Sequence, residues 1–99
     1  MEDITVQALR ERLENNETPI LIDVREPYEN AEFNIGGKNI PLGTLSSAIP
    51  GLQDLKDKEV IVYCAVGGRS GMAKSMLVGA GFTKVRNLLG GMMAWKNNA

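Results

Sequence analysis

The sequence predicts an α/β protein in which a mostly parallel β-sheet is covered by helices on both faces. Two observations lead to this fold class. Segments with apolar residues at helical spacing alternate with short apolar segments typical of strands along the 99-residue chain. The two central strand segments, ILIDV and EVIVYC, are apolar on both faces, which is typical of parallel strands buried between two layers of helices.

The first half of the chain begins with a helix. Val6, Leu9 and Leu13 recur at helical spacing, and they predict a helix over residues 6–15 with Thr5 as its N-cap. The next predicted elements are a buried strand at 20–24, a short helix that opens with Pro27, a brief strand at 39–40, and one short helix within 45–55 broken by Pro50 and Gly51.

The second half contains the clearest strand, at residues 59–64, because this segment is short, apolar and rich in β-branched residues. A helix is predicted over 70–80 and ends near Gly81, followed by a strand at 84–88 and a short helix at 90–97. Five large side chains on these helices are expected to fill the core: Met72, Met76, Met92, Met93 and Trp95.

Composition and charge exclude several classes of protein. The length predicts one domain over residues 1–99. The net charge of -1 comes without any basic stripe, so no nucleic-acid partner is expected. No segment approaches ~18 uninterrupted apolar residues, and the charged N-terminus lacks a signal-peptide core. We therefore expect no membrane contact and a cytoplasmic location.

The chain has one cysteine, Cys64, and no histidine. A single cysteine forms no disulfide within the chain, and the usual zinc ligand sets are also absent. Without histidine there is no Cys-His catalytic pair and no Ser-His-Asp triad. If Cys64 is a nucleophile, backbone groups and nearby charges must generate its thiolate, and neither a metal nor an organic cofactor is expected.

The segment CAVGGRS, residues 64–70, follows the strand at 59–64. Gly67 and Gly68 permit a sharp turn whose N–H groups converge on one point. The helix that begins near Ser70 adds its own N–H groups, and Arg69 adds a positive charge. Such surroundings favour a thiolate and bind an anion. The same pattern also fits a cysteine that is only a small core residue, or a phosphate-binding turn, although it lacks the lysine of a P-loop.

Three segments together resemble the rhodanese family: LIDVREPYENAEFNIGGKNIPL, VIVYCAVGGRS and NLLGGMMAW, in family order and spacing. The resemblance implies a three-layer α/β fold with a five-stranded, mainly parallel sheet. It implies that Cys64 is the nucleophile that carries sulfur. The substrate-binding residues implied by the loop are Ala65, Val66, Gly67, Gly68, Arg69 and Ser70, and the supporting residues are Asp23, Arg25 and Glu29.

Loop length separates this chain from phosphatases of the same fold, whose loop has one more residue between cysteine and arginine. Four residues separate Cys64 from Arg69, and this short loop suits a sulfur atom on the thiolate. Efficient thiosulfate users in the family carry basic residues directly after the cysteine, where this chain has Ala65 and Val66. The donor therefore stays open between thiosulfate and a persulfide.

The resemblance thus predicts a sulfurtransferase. A sulfane sulfur passes from a small donor to Cys64, and then to a thiol acceptor, which can be a protein. Because no second cysteine is present, the persulfide must pass to another molecule. The alternatives are a persulfide relay that serves a sulfur-carrier activating enzyme, and a non-catalytic binding module. Arg69 either contacts the substrate or turns back to Asp23 or Glu29 and braces the loop.

Overall fold

The computed structural model describes residues 1–98. In chain order the elements are α1 (Val6–Glu14), β1 (Ile20–Asp23), α2 (Pro27–Glu32), β2 (Lys38–Asn39), α3 (Leu42–Ala48), a 3-10 helix (Ile49–Leu55), β3 (Val60–Tyr63), α4 (Gly68–Gly79), β4 (Val85–Asn87) and α5 (Gly91–Asn97). The helix predicted at the N-terminus is confirmed together with its cap, since the Thr5 hydroxyl oxygen accepts a hydrogen bond from the Ala8 N–H at 3.1 Å.

The four strands form one parallel sheet in the order β2-β1-β3-β4. The expectation of five strands is therefore wrong. The outer edge of β4 is extended only by a single bridge between Ile4 and Leu88. Ile4 exchanges hydrogen bonds with this edge, but Thr5 caps α1 immediately afterwards. The chain therefore turns into a helix before a fifth strand has any length.

Helices cover both faces of the sheet, as the sequence predicted. Side chains that alternate along β3 point into two separate clusters. Val60 and Val62 pack with residues of α3, the 3-10 helix and α4 on one face. Ile61 and Tyr63 pack with residues of α1 and α5 on the other face. The strand that precedes Cys64 is consequently held rigidly from both sides.

Two stretches differ from the sequence expectation. The helical region expected within 45–55 begins earlier, with α3, and continues as a 3-10 helix with Pro50 in its first turn. Pro50 has no N–H to donate to the preceding turn, so the α-helical hydrogen-bond pattern ends there. The helix expected from residue 70 begins two residues earlier, at Gly68.

The expectation that the methionines fill the core holds for only some of them. Met92 is buried and Met76 packs against the core. Met72 and Met93 are 63% and 60% exposed, so the expectation is wrong for these two. The buried residues of α4 are Ser70, Ala73 and Leu77, which lie on one face at helical spacing, and Met72 lies on the outer face of the helix.

A helix able to cross a membrane does not occur within residues 1–98, where the longest helix, α4, has 12 residues.

Candidate active site

The carboxyl ends of β1 and β3 lie side by side, and the predicted site residues follow them. Asp23 is the last residue of β1 and pairs in register with Tyr63, the last residue of β3. Cys64 comes directly after Tyr63. Parallel α/β sheets bind ligands at this edge, so the sheet brings the thiol and the Asp23 carboxylate to the same end of the molecule.

Three hydrogen-bond donors from its own loop and the helix that follows lie within hydrogen-bond distance of the Cys64 sulfur. The Gly67 N–H lies 3.0 Å from Sγ, the Ser70 hydroxyl 3.2 Å and the Ser70 N–H 3.4 Å. Cys64 is 1% exposed and Ser70 is fully buried. The sulfur is therefore surrounded by hydrogen-bond donors and has almost no contact with bulk water.

Gly67 gives the loop its shape. Its φ of 112° is in the left-handed region, which side chains rarely adopt, and it caps α4 in that conformation. Gly68 differs: it is the first residue of α4, its φ is not positive, and a side chain there would meet open space. The expectation that both glycines are required by backbone geometry is therefore wrong for Gly68.

The loop carbonyls are held by the first turn of α5. The N–H groups of Met92 and Met93 donate to the carbonyl oxygens of Cys64 and Ala65, each at 2.9 Å. These N–H groups have no partner inside their own helix. Gly91 allows the approach, because its φ is 54° and a Cβ there would press into the Ala65 carbonyl at 2.8 Å. With its carbonyls facing α5, the loop directs N–H groups toward the sulfur.

Two opposing effects set the pKa of the Cys64 thiol. Burial raises the pKa, because a thiolate is disfavoured away from water. Hydrogen bonds from the Ser70 hydroxyl, and from the N–H groups of Ser70, Gly67 and Val66, stabilise the thiolate and outweigh burial. The pKa of Cys64 therefore lies below the ordinary value of a thiol, which favours nucleophilic chemistry.

Arg69 pairs with Glu29 of α2, and no hydrogen bond joins its guanidinium to the sulfur. Its Nη1 and Nη2 atoms donate to the two carboxylate oxygens of Glu29 at 2.7 and 2.9 Å. This hydrogen-bonded pair lowers the pKa of Glu29 from 4.5 to about 2, against the opposing effect of burial. The structure thus pairs Arg69 with one of the two acidic residues that the sequence suggested.

Asp23 and Arg25 form a buried ion pair beside the loop. The Asp23 carboxylate accepts hydrogen bonds from Arg25 Nε at 2.9 Å and Arg25 Nη2 at 2.8 Å. It also accepts from the Arg25 N–H and the Asn30 side chain, each at 3.0 Å. Arg25 Nη2 reaches the Phe33 carbonyl as well. These hydrogen bonds fix the chain after β1, and none of them involves the sulfur.

The remaining predicted site residues, Ala65 and Val66, form the rim of the loop. Val66 is 59% exposed, and Tyr28 and Met93 are exposed apolar side chains on the helices that flank the loop. A cleft of about 320 Å³ opens between α2 and α5 beside Ala65. Arg25, Glu29 and Lys96 give this cleft charges of both signs. Within residues 1–98 no group of three or more Asp, Glu or Cys side chains is placed to hold a metal ion.

Sequence reasoning missed Asn87. This residue ends β4, the strand next to β3, and its side chain reaches both the Ser70 hydroxyl and the Gly67 carbonyl. A signal was available, because Asn87 is a polar residue near the carboxyl end of the strand predicted at 84–88, as Asp23 is in the strand predicted at 20–24. The strand order that makes it a neighbour of Cys64 was not evident from the sequence.

Comparison with known proteins agrees with this geometry. The Rhodanese-like domain family matches residues 5–98. A "Sulfurtransferase" of Allochromatium vinosum is 35% identical, with 94% of this chain and 86% of that protein covered. The "Putative sulfurtransferase YtwF" of Bacillus subtilis is 39% identical, with 97% and 91% covered. The chain belongs to the rhodanese family.

Two further similar proteins differ in size, one a single domain and the other a larger protein. The solved structure "Human Single Domain Sulfurtranferase TSTD1" is 27% identical, with a TM-score of 0.83 and with 98% of this chain and 96% of that chain covered. A "Probable adenylyltransferase/sulfurtransferase MoeZ" of Mycobacterium tuberculosis is 36% identical over 93% of this chain, which spans only 24% of that larger protein.

Proposed function

We propose that this chain is a sulfurtransferase that carries sulfane sulfur on Cys64. The observation that carries the proposal is the set of three hydrogen-bond donors that Gly67 and Ser70 place around the Cys64 sulfur. A cysteine that only fills the core needs no such donors. The relatives named as sulfurtransferases support the same conclusion.

The reaction has two displacement steps. The Cys64 thiolate attacks the outer sulfur of a donor such as thiosulfate. The sulfur–sulfur bond of the donor breaks, its electron pair leaves with sulfite, and Cys64 becomes a persulfide. An acceptor thiolate, or cyanide in an assay, then attacks the terminal sulfur, and Cys64 returns to a thiolate. Because Cys64 is the one cysteine of the chain, the acceptor is always a second molecule.

The loop would serve both steps in the same way. In the first step its N–H groups stabilise the attacking thiolate, and in the second they stabilise the departing thiolate. Negative charge that extends onto the terminal sulfur would be met by the same inward-facing N–H groups. No oxidant or reductant is consumed, because the sulfane sulfur atom passes from one nucleophile to the next: from sulfite to Cys64, and from Cys64 to the acceptor.

A protein donor or acceptor is the second candidate. Val66, Tyr28 and Met93 place apolar surface around the loop, where a small dianion would gain more from basic side chains. The similarity to an adenylyltransferase/sulfurtransferase supports a persulfide relay of this kind. The binding-module alternative is weaker, because a module has no use for a buried thiol with three hydrogen-bond donors.

Intact mass spectrometry tests the proposal. Incubation with thiosulfate, or with glutathione persulfide as a second donor, should add the mass of one sulfur atom, and cyanide should remove it. The matched control is the same protein alkylated at its one thiol, which should gain nothing. If neither donor adds sulfur to the folded, reduced protein, the sulfurtransferase proposal is wrong. A gain with glutathione persulfide alone would favour the relay.

A further inference from the structure

The Ser70 hydroxyl lies among three acceptors. The Asn87 Oδ1 atom is 2.6 Å away, the Cys64 Sγ atom 3.2 Å and the Gly67 carbonyl oxygen 3.3 Å. Ser70 is fully buried and Asn87 is 9% exposed, so water does not compete freely for these positions. A hydroxyl has one proton to donate. If this proton points to the sulfur, Ser70 is a hydrogen-bond donor to Cys64. If it points elsewhere, the Ser70 oxygen can only accept a hydrogen bond from Cys64.

The orientation of the Asn87 amide follows from its other contact. Its Nδ2 atom donates to the Gly67 carbonyl at 3.2 Å, so Oδ1 points to Ser70. The Asn87 backbone is also fixed, because its N–H donates to the Asp3 carboxylate at 3.0 Å. An amide oxygen only accepts hydrogen bonds. The shortest contact of the Ser70 hydroxyl therefore requires its proton to point to Asn87.

Two arrangements of the proton follow, one for each state of the sulfur. When Cys64 is a thiol, Ser70 donates to Asn87, and the S–H group can donate to the Ser70 oxygen. When Cys64 is a thiolate, it has no proton to donate and attracts the hydroxyl proton by its charge. Hydrogen bonds to charged groups are stronger than neutral ones, so the hydroxyl turns to the sulfur and gives up its bond to Asn87.

We infer that Asn87 is a positioning residue: its amide oxygen holds the Ser70 hydroxyl away from Cys64 while the sulfur is uncharged, and releases it to the thiolate. For catalysis this rests on the proposed function. In the persulfide the inner sulfur is neutral and Ser70 donates to Asn87. When an acceptor attacks the outer sulfur, the sulfur–sulfur bond breaks and its electron pair goes to Cys64. The hydroxyl then turns to the new thiolate, and no proton leaves Ser70.

Several charged groups on the elements around the sulfur and Asn87 have partners of their own, so a substitution at Asn87 leaves those contacts in place. The ion pairs are Arg69 of α4 with Glu29 of α2, Lys74 of α4 with Asp3, Arg25 with Asp23 of β1, and Arg86 of β4 with Glu59. Lys96 of α5 lies over the Phe33 ring.

The test measures the Cys64 pKa, from iodoacetamide alkylation rates across pH and from the ultraviolet absorbance of the thiolate. Asn87→Leu removes the competing acceptor and keeps the branching of the side chain, and it should lower this pKa by roughly 0.5–1 because one neutral hydrogen bond is at stake. Asn87→Asp keeps the acceptor and adds negative charge, so it should raise the pKa. Ser70→Ala should raise it too, by removing a donor to the thiolate.

The decisive comparison is made in the Ser70→Ala background. There Asn87→Leu should no longer change the pKa, because Asn87 acts through the hydroxyl. If Asn87→Leu changes the Cys64 pKa by the same amount without the Ser70 hydroxyl, the inference is overturned. It is also overturned if Asn87→Leu and Asn87→Asp shift this pKa in the same direction. If Asn87→Leu does not fold, Asn87→Asp replaces it in this comparison. Asn87→Asp should then raise the Cys64 pKa by less in the Ser70→Ala background than in the wild-type background. An equal effect would overturn the inference.

Asn39→Ala is the matched control. The Asn39 side chain also bridges backbone carbonyls, those of Asp23 and Arg25 at 3.0 and 2.9 Å, and it has no contact with Ser70. This variant should lower the melting temperature and leave the Cys64 pKa unchanged. A pKa change as large as that of Asn87→Leu would point to general loosening instead. Thiol titration needs no sulfur donor, so the two claims are tested separately. The inference about Asn87 can fail while sulfur transfer is observed, and it can hold while sulfur transfer is absent.

Discussion

The loops that follow β1 and β3 occupy the same edge of the sheet, yet they differ in what surrounds their central anion. After β1, the Asp23 carboxylate accepts four hydrogen bonds, three from Arg25 and one from Asn30, and it is fully buried. After β3, the Cys64 sulfur lies within hydrogen-bond distance of two backbone N–H groups and the Ser70 hydroxyl. The first anion has a permanent countercharge, and the second has only dipoles.

This difference separates a structural site from the site that we propose to be reactive. A full positive charge beside Asp23 fixes one geometry of the loop. Dipoles beside Cys64 stabilise a thiolate without binding it so strongly that it cannot react. The sheet edge alone therefore does not identify the reactive group, and the nature of its partners does. The comparison predicts opposite consequences for substitutions in the two loops.

The largest expected effect is the loss of sulfur transfer in Cys64→Ser. A serine hydroxyl is not ionised near neutral pH and is a far weaker nucleophile than a thiolate, so thiocyanate formation from thiosulfate and cyanide should fall to background. The fold should persist, because serine is close in size and the loop offers it the same donors. Circular dichroism and thermal melting check the fold. Activity that survives in the folded variant would rule out covalent transfer through Cys64.

The next effect concerns the loop after β1. Asp23→Ala leaves the buried Arg25 guanidinium without its countercharge, which should lower the free energy of unfolding by ~3–5 kcal/mol. Urea denaturation measures this loss. The control is Glu17→Ala, because Glu17 pairs with Arg12 at the surface and is half exposed. That substitution should cost about 1 kcal/mol or less. Similar losses in the two variants would contradict the contrast between the loops.

Arg69 gives a smaller effect, and it joins the two helices beside the sulfur. The bidentate contact with Glu29 needs the planar guanidinium fork, which lysine lacks. We expect Arg69→Lys to lower transfer activity nearly as far as Arg69→Ala, and both to lower the melting temperature slightly, since the pair is partly exposed. If lysine restores activity and the melting temperature does not move, Arg69 contacts the substrate instead.

Acid should weaken the same ion pair. Because pairing lowers the Glu29 pKa from 4.5 to about 2 in the folded state, its contribution to stability is complete above the unfolded pKa. The contribution is then lost as pH falls from about 5 toward 2. Glu29→Gln should remove this part of the acid dependence, as measured by urea denaturation across that range. An unchanged slope in the variant would show that the pair does not stabilise the fold.

The sequence predicted most of the elements because their signals are local. The apolar run before Cys64 defines β3, and the Thr5 cap and apolar spacing define α1. The residue patterns themselves indicated four strands, and the fifth came only from the family resemblance. The start of α4 at Gly68 was missed because a glycine gives no helical signal, although it can occupy the first turn of a helix.

Contacts in the site between residues close in sequence were predictable, and contacts between residues that only the sheet brings together were not. Cys64, Gly67 and Ser70 are close in sequence, so their convergence can be inferred from one turn. The contact between Ser70 and Asn87 depends on β4 lying next to β3, and the exposure of Met93 depends on how α5 is rotated. The single domain, the cytoplasmic location and the roles of the site residues in catalysis remain predictions.

The first turn of α5, which holds the carbonyl oxygens of Cys64 and Ala65, also sets an order of events during protein synthesis. The ribosome completes the cysteine loop well before it adds Met92 and Met93. Until those residues have emerged, the two hydrogen bonds that hold these carbonyl groups outward cannot form. We therefore expect the thiol of the nascent chain to become fully reactive only after the last helix has docked.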